Sequence, residues 1–190
     1  MKQKIVQLGF IIVITCAQFL IIAGCGQNEA LAAKDISEQL SMKLESVKDS
    51  NSDVNKIIKS NLSELSAIGL DVDSYIVSWL EDYYYSIGEI AIDGDNAIAT
   101  VTINIKQLGP ILDRAITDIN NLNTYNSSFS ELTAGFMSKV RELMQQALDE
   151  APLEAVVINF AFMKTDGAWI PDSSFKEVLR FALTSNSVLF

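Results

Sequence analysis

Histidine is absent from this 190-residue chain, and cysteine occurs only twice, at positions 16 and 25. Without an imidazole there is no Ser-His-Asp or Cys-His catalysis and no His-ligated metal site. Basic residues are scarce: 14 Lys and Arg stand against 24 Asp and Glu, a formal charge of −10. That balance leaves no cationic surface to neutralise phosphates and speaks against a nucleic-acid partner. A Gly-rich phosphate loop and a lipase-type nucleophile elbow are also missing. No cofactor and no metal is expected. The chain is apolar, with 49% hydrophobic residues, and its length suits one ordinary domain plus an appendage.

The appendage is at the start. Lys2 and Lys4 precede an almost wholly apolar stretch from Leu8 to Ala23, which closes on Ile22-Ala23-Gly24-Cys25. A basic start, an apolar run and a small-residue exit form a secretory signal. The closing four residues resemble the lipobox of bacterial lipoproteins. The resemblance implies diacylglyceryl transfer to Cys25, palmitate-type acylation there, and cleavage between Gly24 and Cys25. An uncleaved membrane helix over Ile5 to Ala23 is the alternative, since about 20 apolar residues span a bilayer. In either case the two lysines hold the N-terminus in the cytoplasm, and the rest of the chain faces outward.

The division expected is a signal peptide over 1–24, a lipidated tether over 25–28 and a single α+β domain over 29–190. Removing 24 residues leaves 166, with 12 basic against 24 acidic residues and a charge of −12. Cys16 leaves with the signal and Cys25 is acylated, so the exported domain has no thiol and must be held by its core.

Within that domain, Ala33, Ile36, Leu40, Leu44 and Val47 recur at helical spacing. Ser52 or Asp53 caps a second helix, whose stripe runs from Val54 to Ile68 and stops at Gly69. A third, after Asp71–Asp73, carries Ile76, Trp79, Leu80 and Tyr83. From Tyr84 the period becomes two, with a phase slip at Gly88 that predicts a bulge. Beyond the turn Asp93–Asn96 the alternation of Ala97, Ala99, Val101, Ile103 and Ile105 is regular. Gly109-Pro110 opens a helix, and Asn120 to Ser128 reads as a loop. Ser128 with Glu131 then boxes a helix that ends at Pro152. Leu153 to Lys164 is a strand apolar on both faces, which predicts cover on both sides. Asp166-Gly167 turns it into Ala168-Trp169-Ile170. A last helix begins near Ser174, boxed by Glu177.

Grouped helices and strands predict an α+β fold: N-terminal helices on a curved antiparallel sheet, with a helical pair inserted between two β-hairpins. The stretch Phe162 to Ile170, with Lys164, Asp166-Gly167, Trp169 and Ile170, resembles the hairpin of NTF2-like (cystatin-like) bacterial lipoproteins of uncharacterised function. The resemblance implies a cone-shaped sheet.

Trp79, Tyr83 and Tyr85 are candidates to line the mouth of such a cone, where aromatics with a polar tip suit a small amphipathic ligand. Burial as helix–sheet packing is the other reading. Asn159 interrupts an apolar strand and is either a pocket polar group or a structural hydrogen bond. Glu81, Asp82 and Asp73 near the tyrosines allow a histidine-free, isomerase-like scheme, or simply form a solvated acidic face. Asp93–Asn96 offers oxygen ligands for calcium, but turn chemistry also explains it.

The function expected is a membrane-anchored extracytoplasmic lipoprotein with a non-catalytic small-ligand or peptide-binding domain. Its partners are the bilayer, through Cys25, and an unknown ligand or envelope protein. The alternative is an interaction module for another envelope protein, including a homodimer through an open sheet face.

Overall fold

A computed structural model describes residues 27–125 and 134–184. Ile22, Ala23, Gly24, Cys25, the Ser128–Glu131 box and the apolar end Val188–Phe190 lie outside these residues. The described elements are α1 (Gln27–Glu45), α2 (Asp53–Asn61), α3 (Val72–Trp79), β1 (Tyr84–Asp93), β2 (Asn96–Lys106), α4 (Leu108–Tyr125), α5 (Ala134–Glu150), β3 (Leu153–Thr165), β4 (Ala168–Pro171) and α6 (Phe175–Thr184). This is an α+β chain with an open antiparallel sheet in the order β1-β2-β3-β4. No described helix is long and apolar enough to cross a membrane.

Local chemistry sets the helix boundaries. Ile36, Leu40 and Leu44 of α1, and Val47 in the 3₁₀ turn just beyond it, are fully buried, so the expected stripe is the packed side. Ser52 caps α2 by accepting from the Asn55 N–H at 3.1 Å. The expected second helix divides: α2 ends at Asn61 and a 3₁₀ stretch continues from Ser63 to Ile68. There the Ser63 hydroxyl donates to the Ser60 carbonyl at 2.7 Å, the local competition that makes serine a poor helix interior. Gly69, with φ 73°, ends the turn in the left-handed region. Asp71 caps α3, accepting from the Ser74 N–H at 3.2 Å and the Ser74 hydroxyl at 2.8 Å.

The sheet follows the alternation of β2. Ala97, Ala99, Val101, Ile103 and Ile105 are all buried on the face that the helices cover. The β1–β2 register shifts between Ile87 and Ile90, the bulge predicted at Gly88. A Cβ at Gly88 would lie 3.3 Å from the Thr100 carbonyl oxygen, so glycine lets the strands stay close. At the other hairpin, Asp166 and Gly167 both have positive φ, 52° and 85°, the type I′ geometry that matches strand twist. Phe160 and Phe162 of β3 and Trp169 of β4 complete the inner face.

Three expectations are corrected. β3 is covered on one side only: Val157 and Met163 on its outer face are exposed, because small and β-branched side chains suit a strand surface whether or not a second layer lies on it. Asn120–Tyr125 is helical, not a loop, as the last turns of α4; α4 packs against α5, and tertiary contact can override weak propensity. The start of α6 is organised by Asp172, whose carboxylate accepts from the Ser174 N–H at 2.8 Å, while Glu177 accepts from Arg180 instead of closing a box.

Two consequences follow for stability. Asp53 is held below its ordinary value of 3.8 by hydrogen bonding and charge from Lys176, Asp71 by Ser74, and Asp172 by Ser174. A depressed carboxylate stabilises the fold above its unfolded value and loses that contribution as pH falls. With no histidine, denaturation midpoints are expected to stay level from about pH 5 to 8 and to decline progressively below about pH 4. Asp71→Ala is expected to lower the urea midpoint at neutral pH, by loss of the cap, and to make that acid decline shallower, as urea titrations at several pH values would show.

Candidate interaction face

The aromatic residues singled out in the sequence form a packed layer. Trp79 has no exposed surface, and its indole N–H donates to the Lys106 carbonyl at 2.6 Å, tying α3 to the end of β2. Tyr83 is buried and its hydroxyl donates to the Leu44 carbonyl of α1 at 3.0 Å. Tyr85 is half-buried, with its ring 6.3 Å from that of Tyr83. Its hydroxyl lies 3.4 Å from the Ser41 carbonyl and 3.2 Å from the Glu45 carboxylate. All three side chains face α1 or the sheet end, and each polar tip has a protein partner. Burial pushes the pKa of both tyrosines up, chiefly by desolvating the phenolate, so they hold their protons.

Tyr75 differs from them. It is buried, and among the described residues its hydroxyl has no hydrogen-bond partner. Burial pushes its pKa up, and the nearby Asp149 carboxylate pushes it further in the same direction.

The acidic residues are dispersed on the surface. Asp73 pairs with Lys59 at 2.5 Å and Asp82 with Lys106 at 3.3 Å. Glu81 borders a depression of about 460 Å³ shared with Lys48, Asn55, Asp73, Ile76 and Leu80. Three of the polar groups there are already engaged: Asn55 donates to the Val47 carbonyl, Asp73 holds Lys59, and the Lys48 ammonium lies over the Tyr83 ring. Trp79, Tyr83 and Tyr85 do not line it. At the Asp93–Asn96 turn, the Asp95 carbonyl accepts from the Lys164 N–H at 2.8 Å. Among the described residues no three acidic or thiol groups converge as metal ligands would.

Asn159 lies on the outer face of the sheet, directly opposite Thr100, whose hydroxyl donates to its side-chain carbonyl at 3.0 Å. Around this pair the face is bare. Ile98, Val157, Met163 and Ile170 are exposed by 52%, 65%, 53% and 48%. Cross-strand pairing joins them: Ile98 opposes Ala161, Thr102 opposes Val157, and Met163 opposes Ile170. Small polar and apolar side chains thus make a low, continuous surface without a charge at its centre. The sequence carried one signal of it, the apolar outer residues of β3, but a covering layer explained that signal equally well.

The described residues define an α+β domain built on a single open antiparallel sheet. No family model and no curated protein matches the chain. A provisionally described lipoprotein (ycdA) of Bacillus subtilis, whose crystal structure was determined at 2.62 Å, is similar at 18% identity and a TM-score of 0.43, over 80% of this chain. This chain spans 56% of that one.

The tyrosine hydroxyls allow a direct comparison. Tyr83→Phe is expected to destabilise by about 1 kcal/mol, because it leaves the Leu44 carbonyl without its buried donor. Tyr75→Phe is expected to be neutral or stabilising by up to about 1 kcal/mol, because it removes an unpaired buried hydroxyl. Asn159→Ala is expected to stay within about 0.5 kcal/mol of the parent, as for most exposed substitutions. Chemical denaturation of the three variants measures all of these.

Proposed function

We propose that this protein is an extracytoplasmic lipoprotein, acylated at Cys25, whose domain works without catalysis as an interaction module for another cell-envelope protein. The observation that carries the reading is the one-sided sheet. Helices bury one face, while the other presents Ile98, Val157, Met163 and Ile170 around the Thr100–Asn159 pair. Bare apolar surface rimmed by polar groups marks a place where something binds.

Anchoring rests on the sequence Ile22-Ala23-Gly24-Cys25. Helix α1 begins two residues after Cys25, which would keep the domain next to its bilayer. The NTF2-like resemblance of the Phe162–Ile170 hairpin belongs to the same proposal. In its favour, Trp169 is buried beside the turn and its carbonyl accepts from the Gln39 amide of α1 at 3.0 Å. A small-ligand pocket among Trp79, Tyr83 and Tyr85 is the less favoured reading, since their side chains are already packed and paired.

Two measurements test the proposal. Labelling of growing cells with an alkyne fatty acid should mark the parent and not Cys25→Ser; equal labelling of both would overturn the anchor. Photo-cross-linking amino acids placed singly at Ile98, Met163 and Ile170 should give adducts with a discrete partner of another mass. The same probe at Leu31 or Val77, exposed on the helical side, should not. Equal adducts from both sides, or none from the sheet, would sink the interaction reading.

A further inference from the structure

The exposed aliphatics are not spread evenly over the outer face of the sheet. One row crosses all four strands: Asp93 opposes Asn96, Asn96 opposes Met163, and Met163 opposes Ile170. At the spacing of paired strands that row is about 14 Å long. The next row on the same face is Ala91, Ile98 and Ala161. Ile98, Met163 and Ile170, three exposed aliphatics, therefore gather at the turn end of the sheet.

Carboxylates border the same end. The two hairpin turns lie side by side there, joined by the Lys164 N–H, which donates to the Asp95 carbonyl at 2.8 Å. Asp93 and Asp95 stand on one turn and Asp166 on the other, and all three are exposed. Among the described residues none of these side chains has an ion pair or a hydrogen bond. On the helical side, by contrast, Asp53 pairs with Lys176, Asp73 with Lys59, Glu150 with Arg114 and Glu177 with Arg180. The four strands carry two bases, and neither pairs with the turn carboxylates. Lys106 is at the far end of β2, against Asp82. Lys164 stands on the inner face opposite Trp169, its ammonium 6.0 Å from the centre of that ring.

We propose, on the reading that the bare face is the interaction side, that its turn end docks a basic protein. The contact surface of that protein has an apolar centre and a margin of Lys or Arg side chains set against Asp93, Asp95 and Asp166. The aliphatics supply the area removed from water, and the carboxylates select the occupant. A second copy is disfavoured, because a chain with 24 acidic and 14 basic residues repels itself. The same charge opposes an anionic lipid surface. A cationic partner is attracted instead, and it meets carboxylates that have no base to give up.

The test uses the full chain in isolated envelope membranes, with a benzophenone amino acid at Ile98 as the probe. Asp93→Asn, Asp95→Asn and Asp166→Asn are combined, since asparagine keeps turn conformations while removing the charge. The adduct with a foreign protein is expected to fall about fivefold or more at low salt. The parent adduct should fall likewise as salt rises from about 0.05 M to about 0.5 M. This salt series needs no substitution, so it stands even where a variant folds poorly. A matched variant, Glu29→Gln with Glu38→Gln and Asp113→Asn, removes three exposed carboxylates from α1 and α4 and should cross-link like the parent. Peptide mapping of the parent adduct should place the cross-link beside Lys or Arg of the partner.

A foreign adduct indifferent to salt and to the turn substitutions would overturn the basic partner and leave the interaction module standing. An equal loss in the matched variant would overturn it too, since net charge and not this end of the sheet would then be at work. So would an adduct with a second copy or with lipid. No adduct from the sheet at all would remove the interaction reading itself.

Discussion

The indole of Trp79 donates to the carbonyl of Lys106 from a side chain with no exposed surface, and much of the architecture meets at that contact. Lys106 is the last residue of β2, and Leu108 begins α4 two residues later. The bond therefore fixes the end of the central hairpin to the third helix at the point where the chain departs for the α4–α5 pair. A buried donor has no alternative partner, so the contact selects one docking angle among many that would bury similar apolar area. The Tyr83 bond to Leu44 and the Gln39 bond to Trp169 fix α1 at both ends of the same face.

That arrangement places the helical mass on one side and explains why the other side is bare. All large aromatics of the sheet except Tyr84 turn inward: Tyr85, Phe160, Phe162 and Trp169. The outward positions hold Ser86, Thr100, Thr102, Asn104 and Asn159 among the exposed aliphatics. The face is neither core-like nor strongly polar. It suits a contact that forms and parts in water better than a permanent second layer.

Much of the fold was legible in the sequence because short-range chemistry dictates it. The period-two run from Ala97 to Ile105, the phase slip at Gly88, the caps at Ser52 and Asp71 and the Asp166-Gly167 turn each follow from one or two residues. The rest depends on distant partners. Val157 and Ala161 looked covered because a strand's side chains alone do not distinguish a packed neighbour from water. Trp79 and Tyr83 looked suited to a ligand because amphipathic rings bind carbonyls as readily as small molecules, and only the fold shows that Lys106 and Leu44 take them. The polar run from Asn120 continues α4, a helix that packs against α5. Asn159 was visible as an anomaly, but its explanation, Thr100, is 59 residues away.

The order of strands has a consequence for how the chain assembles. β1 with β2, and β3 with β4, are each closed by a tight turn and can zip within microseconds of collapse. The joint between β2 and β3 runs from Asn96–Met163 to Lys106–Leu153 and waits for the α4–α5 excursion to close its loop. The molecule is thus two locally foldable halves sewn by one long seam. If the chain were severed between α4 and α5, each fragment would keep a complete hairpin and could find the other again along that seam.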